Sequence, residues 1–207
     1  MLKNFERVLA IGAHPDDIEI GCGGTLAKWS QLGIKTYMCI FSSGEVGGDS
    51  QVRHREQEES ARIMGVTKFF WGNYHDTNIP NNKKIINDIE MIIKEINPEI
   101  ILIHHRDDTH QDHRNLTKAT IIAARNKKNL LFYESPTSFN FSPNVFVDIE
   151  KTVETKRMAL TAHKSQIDKT NIEGRNILQI ALGTSIFRGV EGRVKYAEGF
   201  IPLRLFI

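Results

Sequence analysis

The chain has 207 residues, 40% of them hydrophobic and 25% charged, with a formal net charge of +2. This is the composition of an ordinary globular protein with a core, and the near-neutral balance, with no basic block, gives no electrostatic footing for nucleic acid. No apolar run approaches the ~20 residues of a membrane span, and the N-terminal segment lacks a secretory pattern. Cys22 and Cys39 form neither a disulfide framework nor a thiolate metal motif. The expectation is a cytoplasmic protein, one domain over residues 1–207, with no nucleic acid or membrane partner.

In chain order, Val8–Gly12 reads as a short buried strand. Gly21–Leu32 reads as a helix that stops at Gly33. Lys35–Phe41 is the next strand, followed by a Gly/Ser-rich loop, SSGEVGGDS. Arg53–Met64 reads as a helix with a charged face, and Lys68–Trp71 as a strand. Asn82–Ile96 carries Ile85, Ile89, Ile92, Ile93 and Ile96, the spacing of a helix with one buried face. Glu99–Ile103 is a buried strand. Leu116–Arg125 follows as a helix, then strands near Leu130–Tyr133 and Val145–Ile149, and a helix at Val153–Ala162. The tail from Ile172 reads as a helix and a strand at Val194–Phe200. Alternation of strand and helix predicts an α/β fold with a mostly parallel sheet covered on both faces.

Two polar clusters stand at strand ends. His14-Pro15-Asp16-Asp17 follows the first strand, and HHRDDTHQDH, residues 104–113, follows Glu99–Ile103. Pro-Asp-Asp alone is ordinary loop chemistry. In open α/β sheets, however, ligands bind outside the carboxyl ends of the strands, and both clusters fall there. His14, Asp16, Asp17, His110, Asp112 and His113 have the composition of a mononuclear metal site with spare acid/base groups, suited to Zn²⁺ or Fe²⁺. A cation would neutralise one of the adjacent aspartates and lower the pKa of a water toward ~7, and the other aspartate would take the proton. A spare histidine would protonate a leaving group or stabilise an oxyanion, with a carboxylate fixing its tautomer. The residues alone leave open which aspartate binds metal.

AHPDDIEIGCGGTLAKW and HQDH, together with SSGE, RHREQEESARIMGV, HKSQ and YAEGF in that order, resemble the LmbE-like, or PIG-L-like, zinc-dependent N-deacetylases. The likeness is nearest to the bacterial glucosaminyl-malate-type enzymes and spans almost the whole chain. It implies a Rossmann-like three-layer α/β sandwich, one Zn²⁺ per chain with Fe²⁺ as an alternative in the cell, and a homo-oligomer. The implied reaction is removal of the acetyl group from an N-acetylglucosamine-type moiety of a small conjugate. His14, Asp17 and His113 would bind the metal. Asp16 would be the general base, His110 would polarise the intermediate and protonate the departing amine, and Asp112 would orient a histidine. Arg53, Asp76 and Glu45 are the implied substrate contacts. His163 is expected to be structural, and His75, His104 and His105 are not expected to be ligands.

One departure stands out. Residues 171–189 lack the tyrosine that the nearest relatives place before the last strand; Arg175 or Asn176 lies roughly there. An arginine at the mouth would suit a phosphate, so the alternative function is deacetylation of a nucleotide-linked sugar or a glycosylated natural-product precursor. Arg53, Arg55, Lys128 and Arg175 are the cations that would decide it. A non-catalytic sugar- or nucleotide-binding module is the third reading, and it predicts loss of a metal or base residue that this chain retains.

Overall fold

A computed structural model describes residues 5–170 and 172–206. The strands are β1 (Arg7–Gly12), β2 (Lys35–Ser42), β3 (Lys68–Tyr74), β4 (Ile100–His104), β5 (Asn129–Tyr133), β6 (Val145–Asp148) and β7 (Ala197–Arg204). The helices are α1 (Asp17–Gln31), α2 (Ser50–Ile63), α3 (Lys83–Ile96), α4 (Gln111–Ala123), α5 (Val153–Ala162) and α6 (Ile177–Gly192). The strands form one sheet in the order β3-β2-β1-β4-β5-β7-β6. β1 to β5 run parallel, and β7 lies antiparallel between β5 and β6.

Side chains alternate across each strand, so the sheet feeds two cores. Leu9, Ile11, Ile101 and Ile103 pack beneath Ile85, Ile89 and Ile93 of α3 and Leu116 of α4. Val8, Ala10, Ile100 and Leu102 pack on the other face against Ile18 and Leu26 of α1, Ala61 of α2 and Ala159 of α5. These are the expected layers. Among the described residues no helix is long and apolar enough to cross a membrane.

Three helices begin earlier than their sequence pattern suggests, α2 at Ser50 rather than Arg53, and the differences in α1 and α4 matter for the site. α1 starts at Asp17, four residues before the glycine run, and continues through that run with a break at Cys22 (φ −149°, ψ 18°). Gly21 reads as a helix start because glycine disfavours helix interiors. It is tolerated here because Tyr133 lies against it: a Cβ at Gly21 would sit 2.2 Å from the Tyr133 ring. A buried ion pair spans the break. Glu198 accepts from the backbone N–H groups of Gly24 (2.9 Å) and Thr25 (2.7 Å), while Lys156 donates to the carbonyl of Ile20 (2.7 Å) and to Glu198 (2.6 Å). α4 likewise begins at Gln111 rather than Leu116, with His110 as its N-cap, its Nδ1 accepting from the Asp112 N–H at 3.2 Å.

β1 and β4 are neighbours, paired from Val8↔Ile100 to Ala10↔Leu102. The chain order reverses there, since β2 lies on the far side of β1 and β5 on the far side of β4. The two polar clusters therefore meet at a topological switch point, where open α/β sheets form a crevice.

Candidate active site

The first cluster is held in a strained turn. Asp16 has φ 94°, a left-handed conformation that a non-glycine residue adopts only when its surroundings enforce it. Gln57 accepts from the Asp16 N–H (3.2 Å), Arg53 donates to the Pro15 carbonyl (2.8 Å), and the Asp17 carboxylate accepts from the His14 N–H (2.7 Å). Behind Asp16 the buried Glu19 accepts from Gln57 (2.5 Å) and Ser60 (2.6 Å) and lies 3.4 Å from His163. The second cluster occupies the first turn of α4, where the i, i+3 spacing sets His110 beside His113, with ring centroids 4.7 Å apart.

The two clusters converge on Asp17. His14 Nδ1 lies 3.3 Å from one oxygen of the Asp17 carboxylate, and His113 Nε2 lies 3.4 Å from the other. Each imidazole is held from behind through its second nitrogen. His14 Nε2 meets Asp76 (2.9 Å) and Asp112 (3.2 Å), and His113 Nδ1 meets Asp108 (3.1 Å). Ser135 donates to the same Asp108 carboxylate at 2.6 Å. His14, His110 and His113 also each bring a ring nitrogen within 4.8 Å of the others. His104 stacks flat on His113 (3.9 Å between centroids); its Nε2 accepts from the Ala13 N–H at 3.0 Å and lies 3.3 Å from Asp17, so Asp17, His104 and His113 also gather as possible metal donors.

The charges of the site pull one another strongly. Burial raises the Asp16 carboxyl to about 6; Arg53 draws it down and Asp17 pushes it up. Burial would lower His113, but Asp17 and Asp108 outweigh it and hold the imidazole up at about 9. Burial also acts against His14, and hydrogen bonds to Asp112, Asp17 and Asp76 raise it well above its ordinary value. Asp17 itself is driven far down, because the charge and hydrogen bond of His113 overcome the cost of its burial. Burial lowers His104 to about 4, so it is a neutral ring. A pole in which carboxylates force imidazoles to hold protons is short of positive charge. With its imidazole and carboxylate donors and no thiolate, it fits a divalent cation of the zinc or iron type.

A cavity of about 590 Å³ opens above this pole, lined by His14, Asp16, Asp17, Asp76, His110 and His113 among others. Arg53 lines it too, although it is only 5% exposed. Its terminal nitrogens donate to the carbonyls of Gly44 (2.7 Å) and Pro15 (2.8 Å), and it lies 3.8 Å from Asp16. It therefore binds the β1 and β2 loops together rather than presenting a free fork to a ligand. Glu45 sits behind the cavity wall and accepts from the Asp76 N–H (2.9 Å), which places Asp76 against His14. The Asp112 carboxylate reaches His14 and the Ile79 N–H (3.1 Å), not the His110 ring. His163 is fully buried, in line with a structural role, and His75 is exposed, its side chain 90% accessible.

The cations that would have marked a phosphate site are elsewhere. Arg55 lines a groove between α2 and α5, Lys128 lies over the Phe206 ring, and Arg175 and Asn176 line a groove that adjoins the cavity at Ile172 without lining the cavity itself. Neither Arg175 nor Asn176 replaces the missing tyrosine at the cavity. Asp108 went unnoticed in the sequence. Its clue lies in the start of α4: a carboxylate two residues ahead of an N-cap caps that turn, and it accepts from the His110 N–H at 2.8 Å.

Fold and site together define an α/β protein with a His/Asp pole at the switch point of its sheet. Residues 9–124 match the family model "PIG-L: GlcNAc-PI de-N-acetylase", and the chain belongs to this deacetylase family. It is 36% identical over 167 residues to the uncharacterized deacetylase YaiS of Escherichia coli (strain K12), a match covering 76% of this chain and 90% of that protein. It is 30% identical to the diacetylchitobiose deacetylase of Thermococcus kodakarensis, over 97% of this chain and 85% of the relative. Among solved structures, the N,N'-diacetylchitobiose deacetylase from Pyrococcus horikoshii superposes with a TM-score of 0.85 at 27% identity, covering 96% of this chain and 84% of that one.

Proposed function

We propose that this protein hydrolyses the acetamide of an N-acetylglucosamine-type sugar with the help of a single Zn²⁺, for which Fe²⁺ is the alternative. The observation that carries the reading is the arrangement around Asp17: two imidazole nitrogens face its two oxygens, and each ring is backed by a carboxylate. That backing is the usual way a protein orients histidine ligands. His14, Asp17 and His113 would hold the ion. When bound, it supplies Lewis-acid polarisation of the acetyl carbonyl and acidifies a water.

The remaining work falls to the chain. Asp16, with its carboxyl raised to about 6, takes the proton of the attacking water. His110 accepts from the Asp112 N–H at Nδ1, so its neutral form carries a proton at Nε2, where it hydrogen-bonds the developing oxyanion, while Asp16 passes the proton it took from the water to the departing amine. Asp112 acts by orienting His14. Asp76 is the carboxylate beside the sugar, Glu45 places it, and Arg53 contributes by shaping the turn that carries Asp16. Among the described residues the arginine that lines the cavity, Arg53, is engaged by two backbone carbonyls, which favours this reading over a nucleotide-linked substrate.

The test is release of free amine, with zinc supplied, from N-acetylglucosamine, its malate conjugate, diacetylchitobiose and UDP-N-acetylglucosamine. Release that is abolished by chelator and by Asp16→Asn supports the reading. Absence of release from all four and from alkyl and aryl N-acetylglucosaminides, with metal confirmed bound, refutes it.

A further inference from the structure

Beyond its polar groups the cavity carries an aliphatic wall. Ile20, Val46, Ile172, Ile177 and Ile180 all line it. Val46 is 69% exposed and Ile172 55%, and Ile177 and Ile180 are half-buried. Branched aliphatic side chains gathered in a cleft and left accessible mark a binding surface rather than a random exposed residue. The α6 part of this wall is held by hydrogen bonds. Asn176 and Gln179 form a capping box at the start of α6, with the Asn176 side chain accepting from the Gln179 N–H at 3.0 Å. The Ile177 N–H donates to the Ile167 carbonyl at 2.9 Å, which ties the helix start to the turn after α5. Ile177 and Ile180, three residues apart on one helix face, are thus held in place before any ligand arrives.

Charge decides what this wall receives. The cavity lining carries Asp16, Asp17 and Asp76, against Arg53 and Lys169. Arg53 donates to two backbone carbonyls, and Lys169 donates to the Gly47 carbonyl. Among the described residues no other Lys or Arg lines the cavity, and Arg175, in the groove that adjoins it at Ile172, donates to the Gly174 carbonyl, so an anionic group on this wall would find each neighbouring cation already engaged by a backbone carbonyl. A second sugar ring packs its C–H face best on an aromatic plane, and no Phe, Tyr or Trp ring lines the cavity among the described residues.

Building on the deacetylase reading, we propose that Val46, Ile172, Ile177 and Ile180 form a subsite for an uncharged alkyl or aryl aglycone, so that the substrate is an N-acetylglucosaminide with an apolar group at its anomeric position. The sugar's acetamide lies at the His/Asp pole and the aglycone extends along the start of α6. Each fully buried methylene contributes about 0.8 kcal/mol, or roughly fourfold in affinity. The wall is open to solvent on one side, so the gain from a methyl to a hexyl aglycone is at least tenfold, well short of five full increments.

The experiment compares kcat/KM for methyl, hexyl and phenyl β-N-acetylglucosaminides with that for the malate conjugate, using the zinc-loaded protein. Titration calorimetry with methyl and hexyl β-glucosaminide, which carry no acetyl group to release, measures the subsite apart from turnover. The expected result is a hexyl-to-methyl ratio of at least ten in both assays, which falls toward one in the Ile177→Asn/Ile180→Asn variant with its circular dichroism spectrum unchanged. Equal affinity for methyl and hexyl, an unaltered ratio in the variant, or preference for the malate conjugate overturns the proposal. If no acetylated sugar turns over, the deacetylase reading fails, and the calorimetric ratio still decides whether the aliphatic subsite exists.

Discussion

The ion pair across the break in α1 makes a demanding prediction. Lys156 and Glu198 are each about 2% exposed at their side chains. Glu198→Ala leaves the buried lysine without its counter-ion, with only the Ile20 carbonyl to accept from it, and such a break costs about 3–5 kcal/mol. The sharper case is the double variant Lys156→Met/Glu198→Leu. Replacing both members of an ordinary buried pair with apolar groups of similar volume is often neutral or stabilising. Here the pair also serves the backbone, accepting from the N–H groups of Gly24 and Thr25 and donating to the carbonyl of Ile20. The double variant orphans all three groups at about 1–3 kcal/mol each, so it should remain at least ~3 kcal/mol less stable than the parent. Urea unfolding followed by far-ultraviolet circular dichroism measures the difference, provided that the slope with denaturant is unchanged. A double variant within ~1 kcal/mol of the parent would show that the pair does not cap the break, and the account of the kinked helix would be wrong.

Other outcomes are equally specific. Asp16→Asn should lower deacetylation by about 10²–10⁴-fold while leaving metal content unchanged, as general bases typically contribute that much; elemental analysis beside the amine assay separates the two effects. Asp108→Ala removes the carboxylate behind His113 and should weaken zinc affinity by about 10–100-fold, read by competition with a colorimetric chelator; unaltered affinity would show that Asp108 does not orient that ring. Dialysis against a chelator should abolish amine release, and Zn²⁺ should restore it. Gly21→Ala drives a Cβ to 2.2 Å from the Tyr133 ring and should destabilise the fold by about 1–3 kcal/mol through overpacking, measured by thermal unfolding.

Much of this molecule is written locally. The isoleucines of α3 recur at helical spacing, and the structure buries Ile85, Ile89, Ile93 and Ile96 as that spacing requires. Strand–helix alternation predicts the parallel sheet, and the His/Asp clusters sit at strand ends in any register. These features are legible because burial of one face imposes a period on the chain. The starts of α1 and α4 were not legible, since helix propensity argues against Gly21-Cys22-Gly23-Gly24 and only the Tyr133 packing and the Lys156–Glu198 pair, contributed from more than a hundred residues away, reverse it.

The same limit applies within the site. Sequence alone placed His14, Asp16, Asp17, His110, Asp112 and His113 in one set by residue type and strand-end position. Only the pairing of β1 with β4 decided that Asp17 lies between His14 and His113, that Asp112 serves His14, and that Asp108 serves His113. Arg53 and Glu45 look like ligand contacts in the sequence, and the tertiary structure turns both toward backbone groups of neighbouring loops. A periodic pattern tells which side of an element is buried, because that depends on residues a few positions apart. The partner of a polar side chain depends on which distant segment crosses it, and that is settled only when the chain has folded.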